Sequence, residues 1–385
     1  MMIRKAFQYK LRVNANQDAI LVRMAGCKRF AWNKALELNL NRLNQSIPIL
    51  RYNDLAGFAK LWKQSEEYGF LKTCYSQALQ QGLKDLDLAF RDAFDPNQPF
   101  KHLPRFKKRG KSVDSLRFPQ GFKIDQNRVY LPKVGWMKFR QSRAIQGTPK
   151  NVTVKKHADG WFVSVQTELD IEKPTHPSTS AVGVDFGVAN LAVLSDGTTF
   201  LPLKNQLAKY ERKLKQAQRA LARKVKFSNN WQKQKGRIGK LHRKIARCRH
   251  DALHKISTAI SKTHAMIAIE NLNVSGMTTS AKGTVDHPGT NVSAKSGLNR
   301  SILDHGWAIF RNMLEYKQAW RGGEVIAVNP AHTSQQCPEC GHTDPSNRLS
   351  QSRFECRACG HTQHADWVGA RNILAAGHAV AACEG

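Results

Sequence analysis

The chain has 385 residues, with 61 Lys and Arg against 29 Asp and Glu, which gives a formal net charge of +32. This length exceeds what one hydrophobic core usually supports, so two or more domains are expected. The positive excess points to a polyanionic partner, because each phosphate neutralised by Lys or Arg releases a condensed counterion. A basic tail without a folded core is excluded, since 41% of the residues are hydrophobic and 8 are Trp.

The N-terminus, MMIRKAFQYKLRV, is basic but lacks the apolar segment of a secretory signal. A run of about 18 apolar residues, the length of a membrane-spanning helix, does not occur in the chain. We therefore expect a cytoplasmic protein.

The first part of the chain combines one strand, a helical segment and a group of short strands. Apolar and polar residues alternate over 3–13, which predicts a half-buried strand, and helical spacing after a capping Asn14 predicts a helical domain. We expect the later strands and the first one to close a β-barrel in which the helical domain is an insertion. These later strands are predicted at 118–124, 128–131, 137–140, 152–156 and 161–169.

A linker rich in Pro, Ser and Thr at 173–180 precedes a region of different character. There, strands and helices alternate along the chain. The predicted elements are three strands from 181, helices at 206–225 and 232–262, a strand ending at Glu270, a mobile loop at 278–297, a helix at 302–320, a strand, and a last helix that begins at Asp366.

The two helices after the third strand of this region carry many Lys and Arg, opposed only by Glu211 and Asp251. A solvated helix face is the alternative explanation, but such a face normally mixes both signs of charge. Contact with nucleic acid is therefore favoured. The candidate contact residues are Lys213, Arg219, Arg223, Lys240 and Arg243.

Two Cys-x-x-Cys pairs, Cys337 with Cys340 and Cys356 with Cys359, are separated by fifteen residues. Each pair is followed by Gly, at a position where a tight turn needs a residue without Cβ. Four thiolates complete a tetrahedral zinc site and leave no open position for chemistry. Disulfides or four unrelated thiols are the alternatives, and the pair spacing favours one structural zinc ion.

Three carboxylates end or begin predicted elements in the second region: Asp185 ends one strand, Glu270 ends another, and Asp366 begins the last helix. Singly, each could be a turn acid, a salt-bridge partner or a helix N-terminal acid. In this order they are typical of an RNase H-like nuclease, whose two Mg²⁺ ions need hard oxygen ligands. We therefore expect metal-dependent cleavage of phosphodiester bonds.

Several segments resemble the TnpB proteins, transposon-encoded relatives of type V CRISPR effectors. GVDFGVANLAVLSDG, IAIENLN, and TSQQCPECG with CRACGHTQHADWVGARNI resemble the three RuvC motifs and the inserted zinc ribbon of that family. KAFQYKLRVNANQ, CKRFAWNKAL and LPRFKKRG resemble its N-terminal signature, so the resemblance covers nearly the whole chain. Two positions depart from the family pattern: Val368, where many members have Asn, and Gly369, where Ala is common.

The resemblance implies a multidomain fold: an OB-like wedge β-barrel interrupted by a helical recognition domain, followed by an α/β RNase H-like RuvC domain with an inserted zinc ribbon. On this chain the implied boundaries are 1–13 for the first barrel strand, 14–98 for the recognition domain, 99–172 for the rest of the barrel, 173–180 for the linker, 181–331 and 362–385 for the nuclease, and 332–361 for the ribbon.

The resemblance also implies an activity: an RNA-guided endonuclease of a transposable element that cuts double-stranded DNA beside a short transposon-adjacent motif. The guide RNA would come from the transposon end and bind one monomer, in a prokaryotic cytoplasm and at the nucleoid. The acids at 185, 270 and 366 would hold two Mg²⁺ ions, and the four cysteines one Zn²⁺. Candidate contacts to the adjacent motif are Tyr52, Ser76 and Gln80, for which ordinary helix surface is the alternative, and candidate contacts to guide RNA are Arg105, Lys107, Lys108 and Arg109.

Two other functions stay open from the sequence. An RNA-guided repressor would bind DNA without efficient cleavage, although relatives of that kind have typically lost an acid and this chain keeps all three. A transposase or resolvase-type nuclease would cut without RNA.

Overall fold

The computed structural model describes residues 1–384 and divides into two compact units, Met1–Ile171 and the remainder from Glu172 onward. The division falls at the predicted linker. The finer domain boundaries inside each unit remain predictions. Over residues 1–384, each helix is too short or too polar to cross a membrane.

The first unit begins with strand β1 (Met2–Arg12), and three helices follow it as expected: α1 (Ala15–Asn44), α2 (Tyr52–Gln64) and α3 (Ser76–Phe94), with a short 3₁₀ helix before α3. Helix α1 begins at a reciprocal cap, because the Gln17 backbone N–H donates to Asn14 Oδ1 and the Asn14 N–H donates to Gln17 Oε1. The predicted cap is therefore confirmed.

The later strands of the first unit join β1 in one antiparallel sheet of seven strands with the order β2-β6-β7-β1-β5-β4-β3. Apolar residues of β1, α1, α3 and β7, among them Phe7, Met24, Leu79 and Val163, belong to a single buried cluster. The strands are β2 (Ser115–Phe118), β3 (Lys123–Asp125), β4 (Arg128–Leu131), β5 (Gly135–Arg140), β6 (Thr148–His157) and β7 (Gly160–Asp170).

The expectation of a closed barrel was wrong for residues 1–171. Strands β2 and β3 lie at opposite edges of the sheet and are not paired, although only residues 119–122 separate them. That link spans at most about 17 Å, so the sheet must curl into a half-barrel that brings its edges near each other. Pro119 at the end of β2 has no backbone N–H to donate, and both edge strands are short, so a closing ladder does not form.

The second unit alternates strands and helices in the predicted order. Strands β8 and β11 end at the predicted acids Asp185 and Glu270, and the last helix begins one residue before Asp366. The elements are β8 (Ala181–Asp185), β9 (Ala192–Leu194), β10 (Thr199–Phe200), α4 (Lys204–Ala222), α5 (Asn229–Thr263), β11 (Met266–Glu270), α6 (Val274–Met277), α7 (Val292–His305), α8 (Trp307–Ala319), β12 (Glu324–Val328), β13 (Arg353–Glu355), β14 (Thr362–His364) and α9 (Ala365–Glu384).

Strands β8 to β12 form a sheet with the order β10-β9-β8-β11-β12, in which β8, β11 and β12 are parallel. Alternate residues of β11 enter different cores, because side chains alternate across a strand. Ile267 and Ile269 pack in a cluster with Phe310 of α8, whereas Ala268 packs in a cluster with Ile373 of α9. The sheet is thus covered on both faces, as parallel strands require.

The region between β11 and β12 is more helical than predicted. Helix α7 begins at Val292, inside the segment expected to be a loop until 297, and the single helix expected at 302–320 is divided between α7 and α8. Gly306 separates these helices with φ of +70°, a conformation that ends a helix and that residues with a Cβ rarely adopt.

Candidate active site and zinc site

Asp185 and Glu270 are brought together by the parallel pairing of β8 with β11. Val184 is paired with Ile269, so the two acids follow at the same edge of the sheet. Both carboxylates line one cavity of about 370 Å³ together with Asp366. The structure thus brings the three predicted acids to one cavity, and their catalytic role stays a prediction.

Two side chains from loops contact Asp366 at the start of α9. The amide Nδ2 of Asn190, in the loop after β8, donates to Asp366 Oδ2 at 3.1 Å. The guanidinium Nη2 of Arg348, in the segment between the two cysteine pairs, lies 3.9 Å from Asp366 Oδ1. Arg348 also lines the cavity, so it adds a positive charge beside the three acids.

Glu270 is held by a chain of hydrogen bonds that reaches α9. The Thr333 hydroxyl donates to Glu270 Oε1 at 2.6 Å. The buried amide of Asn372 in turn donates to the backbone oxygens of Thr333 and Gln336, each at 2.8 Å. The segment before the first cysteine pair is thereby fixed against the last helix.

The acid cluster is electrostatically strained without a cation. Burial, followed by repulsion from Glu270 and Asp366, raises the pKa of Asp185 to about 7, and Arg348 opposes this rise. Burial also raises the pKa of Glu270, although the Thr333 hydrogen bond and Arg348 act in the other direction. Carboxylates that share a dry cavity are stabilised by a bound cation, and hard oxygen donors suit Mg²⁺. The residues present therefore fit a divalent metal.

The two departures from the family pattern occupy different surroundings. Val368 is fully buried against Cys337, Phe354 and Ala365, so it packs under the cysteine pairs. Gly369 lines the acid cavity, and a β-carbon there would lie 3.3 Å from Asp185 Oδ2. Glycine at 369 therefore leaves more room around Asp185 than alanine would.

The four cysteines of the two pairs form one cluster, with all sulfur atoms within 4.8 Å of one another. Cys337 Sγ lies 3.7 Å from Cys359 Sγ, and Cys340 Sγ lies 3.6 Å from Cys356 Sγ. Tetrahedral zinc with Zn–S bonds of about 2.3 Å places its sulfurs about 3.8 Å apart, so the cluster fits the ion. The Gly that follows each pair has a left-handed backbone, with φ of +76° and +71°.

The basic helices α4 and α5 pack together through Leu207 and Ile245. Four of the predicted contact residues on them are exposed, and Arg243 is half-buried. The exposed residues are Lys213, Arg219, Arg223 and Lys240.

The candidate contacts in the first unit lie on α2 and α3 and in the segment before β2. Tyr52 begins α2, where the Lys84 ammonium lies 4.8 Å from its ring centroid. Ser76 accepts a hydrogen bond from Lys63 at 2.8 Å, and Gln80 lies one turn further along α3. These three residues stay predictions.

In the segment before β2, the basic candidates differ in their surroundings. Arg105, Lys108 and Arg109 are exposed. The Lys107 ammonium lies 3.2 Å from the Trp32 ring centroid, and burial, then the nearby Lys28, lower the pKa of Lys107 to about 8. Lys107 thus packs on the protein, unlike its neighbours.

Sequence reasoning missed Arg348 and Thr333, which line the acid cavity, and Asn190, which donates to Asp366. All three lie in loops, where no periodicity predicts the direction of a side chain. Closeness in sequence to the predicted site residues was one available signal. Asn190 lies five residues after Asp185, and Thr333 begins the segment that leads to the cysteines.

Three family models match parts of this chain. Residues 163–281 match the OrfB_IS605 family, described as "Probable transposase". Residues 307–373 match the Cas12f1-like TNB domain, and residues 1–47 match a helix-turn-helix domain of OrfB_IS605 proteins. The first two matches contain the acids and the cysteines.

A relative from Escherichia coli (strain K12), "Putative RNA-guided DNA endonuclease InsQ", is 53% identical over 381 residues, which are 98% of this chain and 94% of that protein. The chain belongs to the TnpB family. A relative from Streptomyces pristinaespiralis, "Putative RNA-guided DNA endonuclease", is 33% identical, and the match covers 99% of this TnpB chain and 91% of that protein. The match to a solved structure of the mini-RNA-guided endonuclease CRISPR-Cas_phi3 covers 97% of this chain and 92% of that chain. Its sequence identity is 13% and its TM-score is 0.46.

Proposed function

We propose that this TnpB protein is an RNA-guided DNA endonuclease of a transposable element, which cuts double-stranded DNA beside a short adjacent motif. The observation that carries the proposal is the convergence of Asp185, Glu270 and Asp366 in one cavity with Arg348. The 53% identity to InsQ over almost the full length supports RNA-guided cleavage of DNA as the activity.

In this proposal the second unit is an RNase H-like RuvC domain with a zinc ribbon inserted at 332–361. Parallel strands that end in acids, with helix α9 on one face of the sheet, support that assignment. The half-barrel at the start of the chain is then the OB-like wedge, and residues 14–98 are the recognition domain. One chain would act with one guide RNA, in the prokaryotic cytoplasm where its DNA substrate lies.

Asp185, Glu270 and Asp366 would hold two Mg²⁺ ions, and the four clustered cysteines one Zn²⁺. When bound, Mg²⁺ supplies an activated water and stabilises the leaving 3′ oxygen of the broken phosphodiester. Zinc would be structural, because four thiolates leave it no open position.

The other side chains position these acids and the substrate. Thr333 orients Glu270, and Asn190 orients Asp366, each through the hydrogen bond described above. Arg348 is aimed into the same cavity, where its guanidinium can donate to the non-bridging oxygens of the phosphate under attack. Negative charge on those oxygens is thereby stabilised where it develops during hydrolysis.

Sequence choice in this proposal comes from pairing between guide RNA and DNA, and the protein holds the nucleic acids through their backbones. Exposed Lys213 and Arg219 on α4, Arg223 at the C-terminal cap of α4 and Lys240 on α5 would bind the backbone of the RNA–DNA duplex. Arg105, Lys108 and Arg109, with Lys107, would contact guide RNA. Tyr52, Ser76 and Gln80 would contact the adjacent motif.

A co-purification experiment tests the proposal. The protein is expressed with its flanking transposon DNA, the bound RNA is sequenced, and Mg²⁺ is added with a duplex that matches the 3′ segment of that RNA. We expect one bound RNA species and double-strand cutting only of the matching duplex. Specific RNA with tight binding but no cutting would indicate an RNA-guided repressor, and cutting that survives ribonuclease treatment would indicate a transposase or resolvase.

A further inference from the structure

A second cavity lies beside the acid cavity and has no part in the mechanism above. It measures about 300 Å³ and is lined by Trp367, His364, Asn190, Thr199 and Val193. Asn190 also donates to Asp366, and Trp367 is the residue that follows Asp366. The cavity is therefore adjacent to Asp366, one of the carboxylates that would hold Mg²⁺ at the scissile phosphate.

Trp367 lines this cavity and keeps a partly exposed indole. It is 40% exposed, although it lies in the first turn of α9 and the nearby Val368 and Ala370 are fully buried. One edge of the indole lies against the turn between β9 and β10, where a β-carbon on Gly197 would be 3.6 Å from Trp367 Cζ2. A ring held along one edge loses little conformational freedom when a flat ligand stacks on it.

The polar groups around this indole suit the edge of a nucleobase. Asn190, Thr199 and His364 line the same cavity, and side chains of these types carry both donors and acceptors. Two of their atoms already bind Asp366, because Asn190 Nδ2 donates to its carboxylate and His364 Nδ1 accepts from its backbone N–H. Bases of single strands are commonly bound by stacking on aromatic side chains, with hydrogen bonds to their edges. The volume also reaches the lower limit of ordinary ligand pockets, about 300 Å³.

Among the residues that the structure describes, the other flank of the acid cavity has no comparably exposed ring. A cavity of about 340 Å³ there is lined by Phe186 and Trp307, but these rings are only 7% and 4% exposed. A base could touch their edges and could not stack on their faces. A strand whose phosphate lies at the three acids therefore finds its stacking surface on the Trp367 side.

We propose that Trp367 stacks on one unpaired base of the DNA strand being cut, next to the scissile phosphate. The inference rests on the proposed nuclease function. Trp367 is then a residue that contacts the substrate, keeps the DNA strand unpaired and fixes which phosphate lies at the three acids. The exposed indole beside the acids would therefore serve to bind the DNA substrate.

Fluorescence locates the stacked base. The Asp185→Ala protein is loaded with its guide RNA and with target DNA that carries 2-aminopurine at single positions around the cut. We expect strong quenching at one or two positions, lost in Trp367→Ala and kept in Trp367→Phe. Trp136→Ala, which removes a similarly exposed indole (43%) in the first unit, is the matched control and should keep the quenching.

Cleavage tests the same contact by energetic coupling. An abasic site at the quenched position and Trp367→Ala should each slow single-turnover cutting about tenfold, and together no more than either alone, because both remove one stack. The abasic scan with unaltered protein needs no substitution, so a folding defect in Trp367→Ala cannot hide the result.

Three outcomes would overturn the inference. The first is that no abasic position slows cleavage by the unaltered protein, and the second is that the abasic site and Trp367→Ala multiply each other's effect on the cleavage rate. The third is quenching that occurs only when 2-aminopurine is placed in the guide RNA. If the unaltered protein cuts no DNA, the nuclease proposal fails, whereas the fluorescence on bound DNA still decides whether Trp367 stacks.

Discussion

Gly183 of β8 and Ala370 of α9 approach so closely that a β-carbon on Gly183 would lie 2.1 Å from the Ala370 carbonyl oxygen. A similar approach recurs further along the helix, where a β-carbon on Gly377 lies 2.5 Å from Ala268 Cβ. These contacts seat α9 directly on β8 and β11. Since β8 ends at Asp185 and α9 begins beside Asp366, this packing sets the spacing of the acids.

Gly183→Ala should separate α9 from the sheet, because the clash is with backbone that cannot rotate away. Overpacking of this kind costs about 1–3 kcal/mol, or a few degrees of melting temperature for each kcal/mol in a unit of this size. Differential scanning calorimetry measures the shift, and cleavage should fall with it as Asp366 moves. Gly236→Ala on α5, where the new carbon meets nothing within 4 Å, is the control and should be neutral or stabilising. An unshifted Gly183→Ala protein with full activity would contradict this packing role.

Arg348→Ala should slow cleavage about 10²-fold, since a donor aimed at developing phosphate charge is lost from the acid cavity. Arg348→Lys should recover part of the rate, because it restores the charge without the fork of N–H donors. Single-turnover cleavage at saturating DNA measures both. Arg353→Ala removes another arginine of the ribbon, one paired with Glu355 at 3.0 Å, and should cut at the unaltered rate. Equal rates for Arg348→Ala and Arg353→Ala would remove Arg348 from the site.

The three acids and four cysteines could be predicted because each stands at a position that local sequence defines: a strand end, a helix start or a paired turn. Arg348, Asn190 and Thr333 could not, because their loops carry no periodicity and their side chains meet the acids only after α9, the ribbon and β8 have packed. Their contacts are tertiary, and a single sequence does not encode their direction.

Two fold predictions failed for related reasons. Alternating strands predicted a barrel, but closure depends on the two edge strands, and Pro119 with a four-residue link leaves them unpaired. The segment at 278–297 has a loop-like composition, yet α7 begins at Val292, and Asp304 in that helix forms an ion pair with Arg249 of α5 at 2.6 Å. Tertiary contacts there outweigh weak helix propensity.

Replacement of Cys337 by Ser should remove zinc and disturb the start of α9. Cys337 shares a buried cluster with Phe354 and Val368, so loss of the metal should loosen the packing of the side chains next to Asp366. Elemental analysis should find one zinc per chain in the unaltered protein and less than half of that in the variant, with cleavage reduced. Cys383→Ser, an exposed thiol outside the cluster, is the control. Full zinc content in Cys337→Ser would contradict the assigned ligand set.

The buried Lys317 of α8 should make the second unit more stable as pH rises above 8. Its ammonium donates to His254 O, Ser257 Oγ and Thr258 Oγ1, but burial, then Arg321, lower the pKa of Lys317 to about 8. In the unfolded chain the pKa of Lys317 has its ordinary value of about 10.4, so between about pH 8 and pH 10.4 the unfolded state binds more protons than the folded state. The free energy of unfolding therefore increases with pH over this range.

Comparison with Lys317→Met isolates this effect. The melting temperature of the unaltered protein minus that of Lys317→Met should grow from pH 7.5 to pH 10. Lys255→Met, which removes an exposed lysine of α5 paired with Asp251, should show a constant difference over the same range. A constant difference for Lys317→Met as well would mean that Lys317 titrates normally in the folded protein.

The most direct test of the central claim compares Asp185→Ala with Asp286→Ala, an exposed acid outside the cavity, in complexes that each carry the co-purified RNA. Cutting of a matching duplex in Mg²⁺ and equilibrium binding of the same duplex are measured together. We expect Asp185→Ala to bind RNA and DNA normally and to cut at less than one-hundredth of the unaltered rate, whereas Asp286→Ala should bind and cut normally. Cleavage by Asp185→Ala at the unaltered rate would contradict the assignment of Asp185 to the active site and place the chemistry elsewhere in the protein.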